Sequence, residues 1–368
     1  MLRRKLLYEH FATSGSGPRE RRLAILGFGG PRELLRAALS EAELAWLAQC
    51  DAVDLASLPE PQRHNLPDWL AAKLKQQAGD AFWPLADSLL QPAPLDLRVN
   101  AMAGKRDALQ AELRTVGAEV QPTPHSPWGL RVQGKSGLTK LDAYARGAFE
   151  VQDEGSQLLA LLTDARRGQL VVDFCAGAGG KTLALGAAMR DTGRLYAFDV
   201  SAHRLDQLKP RLERSGLTNV HPAAIAHERD DRVKRLSGKA DRVLVDAPCS
   251  GLGTLRRNPD LKWRQKPAAI EALTVQQASI LESASGLVKP GGRLVYATCS
   301  LLTEENEAIA AAFTTAHRDW RPLSCADLLT QIKIPDASSL CSPDGWYLRL
   351  WPQLHGTDGF HAAAWEKV

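Results

Sequence analysis

The sequence predicts an α/β protein whose C-terminal part forms a doubly wound, mainly parallel sheet, preceded by a small α+β domain and an N-terminal helical region. The main observation begins at Gln169, where short apolar runs alternate with stretches of helical periodicity. This order favours parallel strands joined by helices. Two of the apolar runs end in a cysteine, at Cys249 and Cys299, which predicts two thiols at the same end of one sheet.

We predict three regions, covering residues 1–93, 94–150 and 151–368. In the first, apolar residues recur at three- and four-residue spacing, which indicates helices, and Ser40 is a suitable N-cap. In the second, alternating runs on either side of a helical stretch indicate a strand–helix–strand unit. In the third, the predicted strands are 170–172, 194–200, 220–225 (broken by Pro222), 241–246, 292–298, 345–351 and 360–365. The main predicted helices are 158–162, 182–189, 203–214, 270–286 and 304–313.

The composition is that of an ordinary globular protein, with 44% hydrophobic and 24% charged residues. No apolar run approaches the roughly 20 residues that span a bilayer, and no apolar signal core follows the basic N-terminus. We therefore expect a cytoplasmic protein without a membrane segment. None of the 6 cysteines forms a CxxC pair, so we expect free thiols and no metal site.

Basic residues are concentrated beside Cys249. The net charge of +4 and the isoelectric point of 8.7 only weakly indicate a polyanionic partner. Between residues 254 and 267, however, basic side chains far outnumber acidic ones, and Arg256, Arg257 and Lys262 are candidates to hold phosphates. The alternative is a solvated loop, and for Trp263 packing is favoured over stacking. The same two interpretations apply to Arg131, Lys135 and Lys140.

A glycine-rich turn at residues 175–181 follows a predicted strand and opens a helix. Glycine lets the backbone approach a ligand closely, and helix N-terminal N–H groups hold polar atoms. The spacing is not that of a dinucleotide-binding G-x-G-x-x-G, because Thr182 replaces the third glycine, nor that of a P-loop, because Cys175 replaces the first. Asp199 ends the next strand, where a carboxylate suits a ribose diol. The pattern predicts an adenosine-containing cofactor, with a generic tight turn as the alternative.

Four segments together resemble the motifs of S-adenosylmethionine-dependent RNA (cytosine-5) methyltransferases, and the bacterial 16S ribosomal RNA methyltransferase B type is the nearest subgroup. They are 173–182, 246–251, 257–263 and 297–306, and 152–157 and 355–360 also resemble the family. The similarity extends from about residue 94 to the end. It implies a class I methyltransferase fold with an antiparallel last strand, S-adenosylmethionine as the cofactor and ribosomal RNA as the partner. We expect a monomer.

The resemblance also implies roles for individual residues. The methionine-side loop would comprise Cys175, Ala176, Gly177, Ala178, Gly179, Gly180 and Lys181. Asp199 would bind the ribose, and Arg204 would support that site. The residue beside the adenine stays open among His227, Glu228 and Asp230. The sequence departs from the family at Ala178, where proline is usual, and at His361, where an aromatic residue is expected.

The proposed chemistry explains why two thiols are needed. C5 of cytosine is a poor nucleophile, and addition of a thiolate at C6 activates it by covalent catalysis. By resemblance, Cys299 is the nucleophile, Cys249 assists elimination, and Asp246 hydrogen-bonds the base. Asp246 also lies next to the cofactor. Lys181 or a helix end is a candidate to lower the pKa of a thiol.

Alternatives remain for the thiols and for the function. Enzymes that act on DNA place the nucleophile in the Pro-Cys motif, which would make Cys249 the attacking thiol. The remaining cysteines, Cys50, Cys325 and Cys341, are expected to be structural. The alternative functions are a catalytically silent RNA-binding factor for ribosome assembly, or the same chemistry on transfer RNA or DNA.

Overall fold

The computed structural model describes residues 1–134 and 137–368, and the chain divides into two compact units. Unit 1 comprises Met1–Pro92 and Leu255–Lys266, and unit 2 comprises Ala93–Thr254 and Pro267–Val368. Lys135, one of the candidate cationic residues, lies outside the described residues. Within the described part of the chain, no helix has the length and apolar character needed to cross a membrane.

Unit 1 is helical, as predicted. Ser40 forms a capping box with Glu43, because the Ser40 hydroxyl accepts from the Glu43 N–H and the Glu43 carboxylate accepts from the Ser40 N–H, at 2.9 Å. The helices of this unit are α1 (Lys5–Phe11), α2 (Arg19–Leu26), α3 (Arg32–Ala37), α4 (Glu41–Ala52), α5 (Glu60–His64), α6 (Asp68–Ala78), α7 (Phe82–Leu89) and, from the later segment, α14 in chain order (Leu261–Arg264).

The segment Leu255–Lys266 packs against the first residues of the chain within unit 1. Lys262 is only 2% exposed, and its Nζ donates to the Arg3 carbonyl oxygen at 2.9 Å. Burial, with a smaller contribution from the charge of Arg3, lowers the pKa of Lys262 to about 7. The Trp263 indole donates to the Leu2 carbonyl oxygen at 2.8 Å. The predicted phosphate contact of Lys262 is therefore wrong, because its ammonium is buried, and packing of Trp263 is confirmed.

Unit 2 begins with a small antiparallel sheet in the order β2-β3-β1-β4. Leu97, Leu130 and Phe149 form its core together with Leu113 of the covering helix. The elements are β1 (Leu95–Val99), α8 (Arg106–Thr115), β2 (Val120–Pro122), β3 (Gly129–Val132), α9 (Asp142–Ala145) and β4 (Phe149–Val151). This is the strand–helix–strand unit that the sequence predicts, extended by two strands.

The rest of unit 2 is built on a large sheet in the order β10-β12-β9-β8-β5-β6-β7, with β11 paired to β12. β5 to β9 run parallel, and β12 runs antiparallel to β9. The strands are β5 (Leu170–Asp173), β6 (Arg194–Asp199), β7 (Val220–Ala224), β8 (Ala240–Asp246), β9 (Val288–Thr298), β10 (Trp320–Leu323), β11 (Leu348–Leu350) and β12 (Phe360–Lys367). The predicted doubly wound sheet and its antiparallel last strand are confirmed.

Helices cover both faces of this sheet. Val171 and Leu244 pack on one face with α10 and α11, and Val172 and Val243 pack on the other with α15 and α16. Apolar residues on consecutive positions therefore serve both faces, as in other parallel sheets. The helices are α10 (Glu154–Thr163), α11 (Gly180–Ala188), α12 (Ala202–Ser215), α13 (Asp231–Lys234), α15 (Pro267–Ser285), α16 (Glu307–Ala316), α17 (Cys325–Gln331) and α18 (Pro352–His355).

Two local predictions differ from the structure, and one strand was not predicted. Pro222 does not break β7 but pairs with Ala197, because β7 is the edge strand and has no further neighbour that needs the missing N–H. β10 escapes the sequence analysis. The helix predicted from Glu304 begins at Glu307, because Thr303–Glu305 form a 3₁₀ turn.

Candidate active site

A cleft of about 590 Å³ lies at the carboxyl ends of the parallel strands in unit 2. This is the edge where open α/β sheets bind their ligands. Of the predicted site residues, its walls contain Cys175, Ala176, Gly177, Ala178, Gly180, Lys181, Asp199, Arg204, Asp246, Cys249 and Cys299. The structure thus brings together the loop and the two cysteine segments that the sequence predicts to be functional.

Gly179 is the one predicted loop residue that does not line the cleft, and it packs against Leu208 of α12 instead. It has a φ of +82°, and a Cβ there would lie 2.1 Å from a methyl carbon of Leu208. Gly177 has a φ of +56° and borders the cleft, with open space where a Cβ would be. Glycine is needed at these positions because the loop turns through left-handed backbone before α11 begins at Gly180.

Asp173 fixes the end of β5 to the start of α11. It is fully buried, and its Oδ2 accepts a hydrogen bond of 2.6 Å from the Thr182 hydroxyl. Its Oδ1 is buried and has no hydrogen-bond partner in the described protein. Burial raises the pKa of this carboxyl to about 7, against the opposing effect of the Thr182 hydrogen bond.

Asp199 presents a carboxylate to the cleft from the end of β6. Its Oδ2 accepts from the Gly177 N–H at 2.8 Å, and its Oδ1 accepts from the Ser201 N–H at 2.7 Å. The Arg204 guanidinium lies 3.9 Å from Oδ2 and is largely exposed. Because each carboxylate oxygen has two lone pairs, Asp199 retains capacity to accept from a ligand.

The three candidates for the adenine side occupy different environments. Glu228 lines the cleft, and its Oε1 accepts a hydrogen bond of 2.6 Å from the Ser279 hydroxyl. Asp230 caps α13 and also accepts from the Ala226 N–H at 3.0 Å. His227 is exposed, and its Nδ1 accepts from the Arg229 N–H at 3.1 Å.

Lys181 and Asp246 form an ion pair on the wall of the cleft, with Nζ and Oδ2 2.6 Å apart. Burial by itself lowers the pKa of Lys181, but the charge of Asp246 and the hydrogen bond to it outweigh burial, so the pKa is raised. Lys181 is therefore a charged partner that fixes the Asp246 carboxylate in place.

The Sγ atoms of Cys249 and Cys299 lie 3.4 Å apart, and both residues are half-buried. The hydrogen bond with Cys299 and burial raise the pKa of the Cys249 thiol well above its usual value, and the charges of Cys299 and Glu305 add to the effect. The Cys249 thiol is therefore protonated at neutral pH. Of the remaining cysteines, Cys50 and Cys325 are buried and Cys341 is half-buried, and all three lie away from this cleft.

Several residues near the cleft escape the sequence analysis. Gln152, Ser156, Ile225, Gln276 and Ile280 line its walls. Behind the thiols, Gln277 and Glu305 are fully buried and hydrogen-bond each other. Glu305 falls in a segment that resembles the family, but nothing in the sequence indicates its contacts. Gln277 carries no signal, because it is one polar residue in a long helix.

The sheet order, the glycine-rich loop after β5 and the carboxylate at the end of β6 define a class I methyltransferase. The family described as 16S rRNA methyltransferase RsmB/F matches residues 160–366, and an RsmF/B-like ferredoxin-like domain matches residues 66–139. The chain therefore belongs to the RsmB/F methyltransferase family. The predictions of the family, of the class I fold and of S-adenosylmethionine as its cofactor are confirmed.

Individual relatives agree with this assignment. A probable ribosomal RNA small subunit methyltransferase B from Synechocystis is 36% identical over 314 residues, which cover 83% of this chain and 68% of the relative. The chain spans about two thirds of the length of the curated relatives it matches. The crystal structure of PH0851 superposes with a TM-score of 0.80 at 27% identity, covering 99% of this chain and 87% of that one. NSun6 from Pyrococcus horikoshii with SFG shares the fold, with a TM-score of 0.71 at 22% identity and coverage of 82% and 98%.

Proposed function

We propose that the protein transfers a methyl group from S-adenosylmethionine to C5 of a cytosine in RNA, with small-subunit ribosomal RNA as the substrate. The observation that carries this proposal is the pair of thiols 3.4 Å apart beside the carboxylate of Asp246. Methyl transfer to an oxygen or an exocyclic nitrogen needs no thiol, whereas C5 of cytosine requires covalent activation at C6.

The residues around the cleft suit an adenosyl sulfonium. Asp199 accepts the ribose hydroxyls, and Arg204 supports it. Glu228 is the candidate for the adenine side, because it lines the cleft while the Asp230 carboxylate caps α13. The loop from Cys175 to Lys181 holds the methionine end, where its left-handed glycines bring the backbone close. The bound cofactor supplies an electrophilic methyl group.

The thiol pair provides attack and release. Cys299 attacks as the thiolate: its Sγ–C6 bond forms, and the electron pair of C5=C6 becomes available at C5 for the new C5–CH₃ bond. The Asp246 carboxylate accepts a hydrogen bond from the amino group of the base, and from N3 when that nitrogen is protonated, which stabilises the ring as the thiolate adds. In the release step, the Cys249 thiolate takes the C5 proton, C5=C6 forms again, and the Sγ–C6 bond breaks.

The state of Cys299 determines when the Cys249 thiol loses its proton. Its pKa is raised chiefly by the hydrogen bond to Cys299, with burial second. When Cys299 becomes a neutral thioether on C6, it no longer raises the pKa of Cys249. Cys249 then loses its proton to water more easily. The thiolate that takes the C5 proton therefore becomes available after attack. One proton is released per methyl group transferred, as the overall reaction requires.

We also infer the three-region organisation, with residues 94–150 as the domain that contacts RNA. A groove of about 510 Å³ lies on this domain. Lys105, Arg106 and Trp128 line it, together with Arg190, which follows α11. Cationic side chains with an aromatic ring suit a phosphate backbone and an unstacked base. Arg131 is less available to bind a phosphate, because its guanidinium pairs with the Asp96 carboxylate at 2.8 Å.

A methylation assay tests the proposal. The protein is incubated with methyl-labelled S-adenosylmethionine and small-subunit ribosomal RNA, transfer RNA or DNA, and labelled positions are mapped by nuclease digestion and mass spectrometry. We expect 5-methylcytosine in the ribosomal RNA. RNA binding without cofactor binding in calorimetry and without label in any substrate would show a catalytically silent RNA-binding protein instead, and label only at another atom of the RNA would overturn the assignment of C5. Label confined to transfer RNA or DNA would overturn the assignment of the substrate alone.

A further inference from the structure

A single buried carboxylate joins the two cysteine segments. Glu305 is 0% exposed and ends the 3₁₀ turn after Cys299. Its Oε1 accepts from the Ser250 N–H at 2.8 Å and from the Gln277 side-chain amide at 3.0 Å. Its Oε2 accepts from the hydroxyls of Ser250 and Ser300, both at 2.5 Å. Four donors thus converge on one buried carboxylate.

The donors are the residues next to the thiols. Ser250 directly follows Cys249, and Ser300 directly follows Cys299. The two serine hydroxyls are also 3.2 Å apart. Charge-assisted hydrogen bonds are short and strong, and a buried one holds its partners in a narrow range of positions. The carboxylate therefore ties together two loops that leave different strands, β8 and β9.

The network is anchored on both sides. The Gln277 amide that donates to Glu305 also lies 3.0 Å from the Pro248 carbonyl oxygen, next to Cys249. The Tyr296 hydroxyl donates to the Glu305 carbonyl oxygen at 2.6 Å. The position of Glu305 is thus fixed by β9 and α15, and Glu305 in turn fixes the loops.

We propose that Glu305 is a positioning residue that sets the distance between the thiols of Cys249 and Cys299, and thereby couples attack to release. This rests on the proposed function. Glu305 touches neither thiol in the contacts of the described chain and acts through Ser250 and Ser300. Its negative charge adds to the effects that keep Cys249 protonated before Cys299 attacks.

The test compares Glu305→Ala, Glu305→Gln and Ser300→Ala with the exposed control Glu271→Ala on α15. Phenylarsine oxide bridges two thiols that are close together, so its stoichiometric capture by the Cys249–Cys299 pair, mapped by mass spectrometry, reports thiol spacing without methylation. Cofactor affinity is measured by calorimetry, and kcat and KM by methyl transfer. The Gln variant keeps the shape, and serine hydroxyls can rotate to accept from its amide.

We expect Glu305→Ala to lose arsenical bridging and to lower kcat about a hundredfold, the size of effect that a misplacement of about 1 Å produces. Cofactor affinity and the KM for RNA should stay within about twofold, because the residues that Glu305 contacts are not among those proposed to hold the cofactor or the RNA backbone. Glu305→Gln should recover most of the bridging, Ser300→Ala should lose part of it, and the control should match the wild type.

Unchanged bridging and kcat in Glu305→Ala would overturn the proposal, as would a loss confined to cofactor affinity. If Glu305→Ala does not fold, Ser300→Ala decides, because it removes one loop contact and leaves the carboxylate in place: reduced bridging supports the proposal and wild-type bridging overturns it. If the wild-type protein methylates no RNA, the proposed function fails, while the bridging comparison still decides the role of Glu305.

Discussion

The ammonium of Lys181 lies 2.6 Å from the carboxylate of Asp246, so that the glycine-rich loop and the Pro-Cys segment are joined by an ion pair on the wall of the cleft. Lys181 comes from the first turn of α11, and Asp246 ends β8. The pair is largely buried, and it keeps Lys181 charged. In the proposed reaction, Asp246 must bind the base at a fixed position relative to the cofactor. The ion pair with Lys181 keeps the Asp246 carboxylate in that position.

Replacing either member of this pair should impair methyl transfer strongly. Asp246→Asn removes the charge that binds the base, and Lys181→Met frees the carboxylate, so we expect kcat to fall by about 10²–10³ in each, as for loss of one preorganised electrostatic contact. The double variant should be no worse than the worse single one, because the residues act as a unit. Losses that multiply in single-turnover assays would show that the two act independently.

Replacing each of the two cysteines by alanine in turn should separate attack from release. Cys249→Ala leaves the nucleophile and removes the group that takes the C5 proton, so we expect a covalent protein–RNA adduct that survives denaturing electrophoresis. Cys299→Ala should form no adduct and transfer no methyl group. Cys341→Ala, away from the cleft, is the control and should turn over normally. An adduct in Cys299→Ala and none in Cys249→Ala would reverse the roles.

Arg211 should control cofactor affinity without touching the cofactor. Its guanidinium donates to the carbonyl oxygen of Ala178 in the glycine-rich loop and pairs with Glu150 of β4 at 3.0 Å. This contact ties the loop to the small sheet. We expect Arg211→Met to weaken S-adenosylmethionine binding by about five- to tenfold, which corresponds to the net contribution of about 1 kcal/mol of a typical hydrogen bond, with kcat at saturating cofactor unchanged.

Arg214→Met is the matched control for this prediction. Arg214 also pairs with Glu150, and its guanidinium lies 4.2 Å from the Tyr144 ring, but it does not bond to the loop. Its replacement should lower the unfolding temperature and leave the cofactor dissociation constant unchanged in calorimetry. Equal losses of affinity in the two variants would mean that the small sheet as a whole, rather than the Arg211 contact, supports the loop.

The sequence predicts the cleft better than what lies behind it. Strand-end residues such as Asp199 and Asp246 are predictable, because the ends of parallel strands converge on one edge and local patterns locate those ends. The contacts of Glu305 are not predictable, because they join Ser250, Ser300 and Gln277 across up to 55 positions. Burial of Lys262 is missed for the same reason. Its neighbours in sequence are basic, and only its contact with Arg3, 259 positions away, shows that it is buried.

His361 should make the protein sensitive to acid, and His361→Phe should relieve this. The ring is fully buried, neither nitrogen has a hydrogen-bond partner in the described protein, and Tyr347 packs beside it with ring centroids 5.3 Å apart. Burial, with a smaller contribution from Arg349, lowers its pKa to about 3, below the value of about 6.5 in the unfolded chain. The unfolded state therefore binds a proton that the folded state excludes, and stability is lost as the pH falls below about 6.5.

We expect His361→Phe to gain about 2 kcal/mol of stability relative to the wild type, measured by urea unfolding, when the pH is lowered from 7.5 to 5. The exposed His203→Phe should show no such change, and parallel pH profiles for His361→Phe and the wild type would mean that the buried ring is protonated in the folded protein.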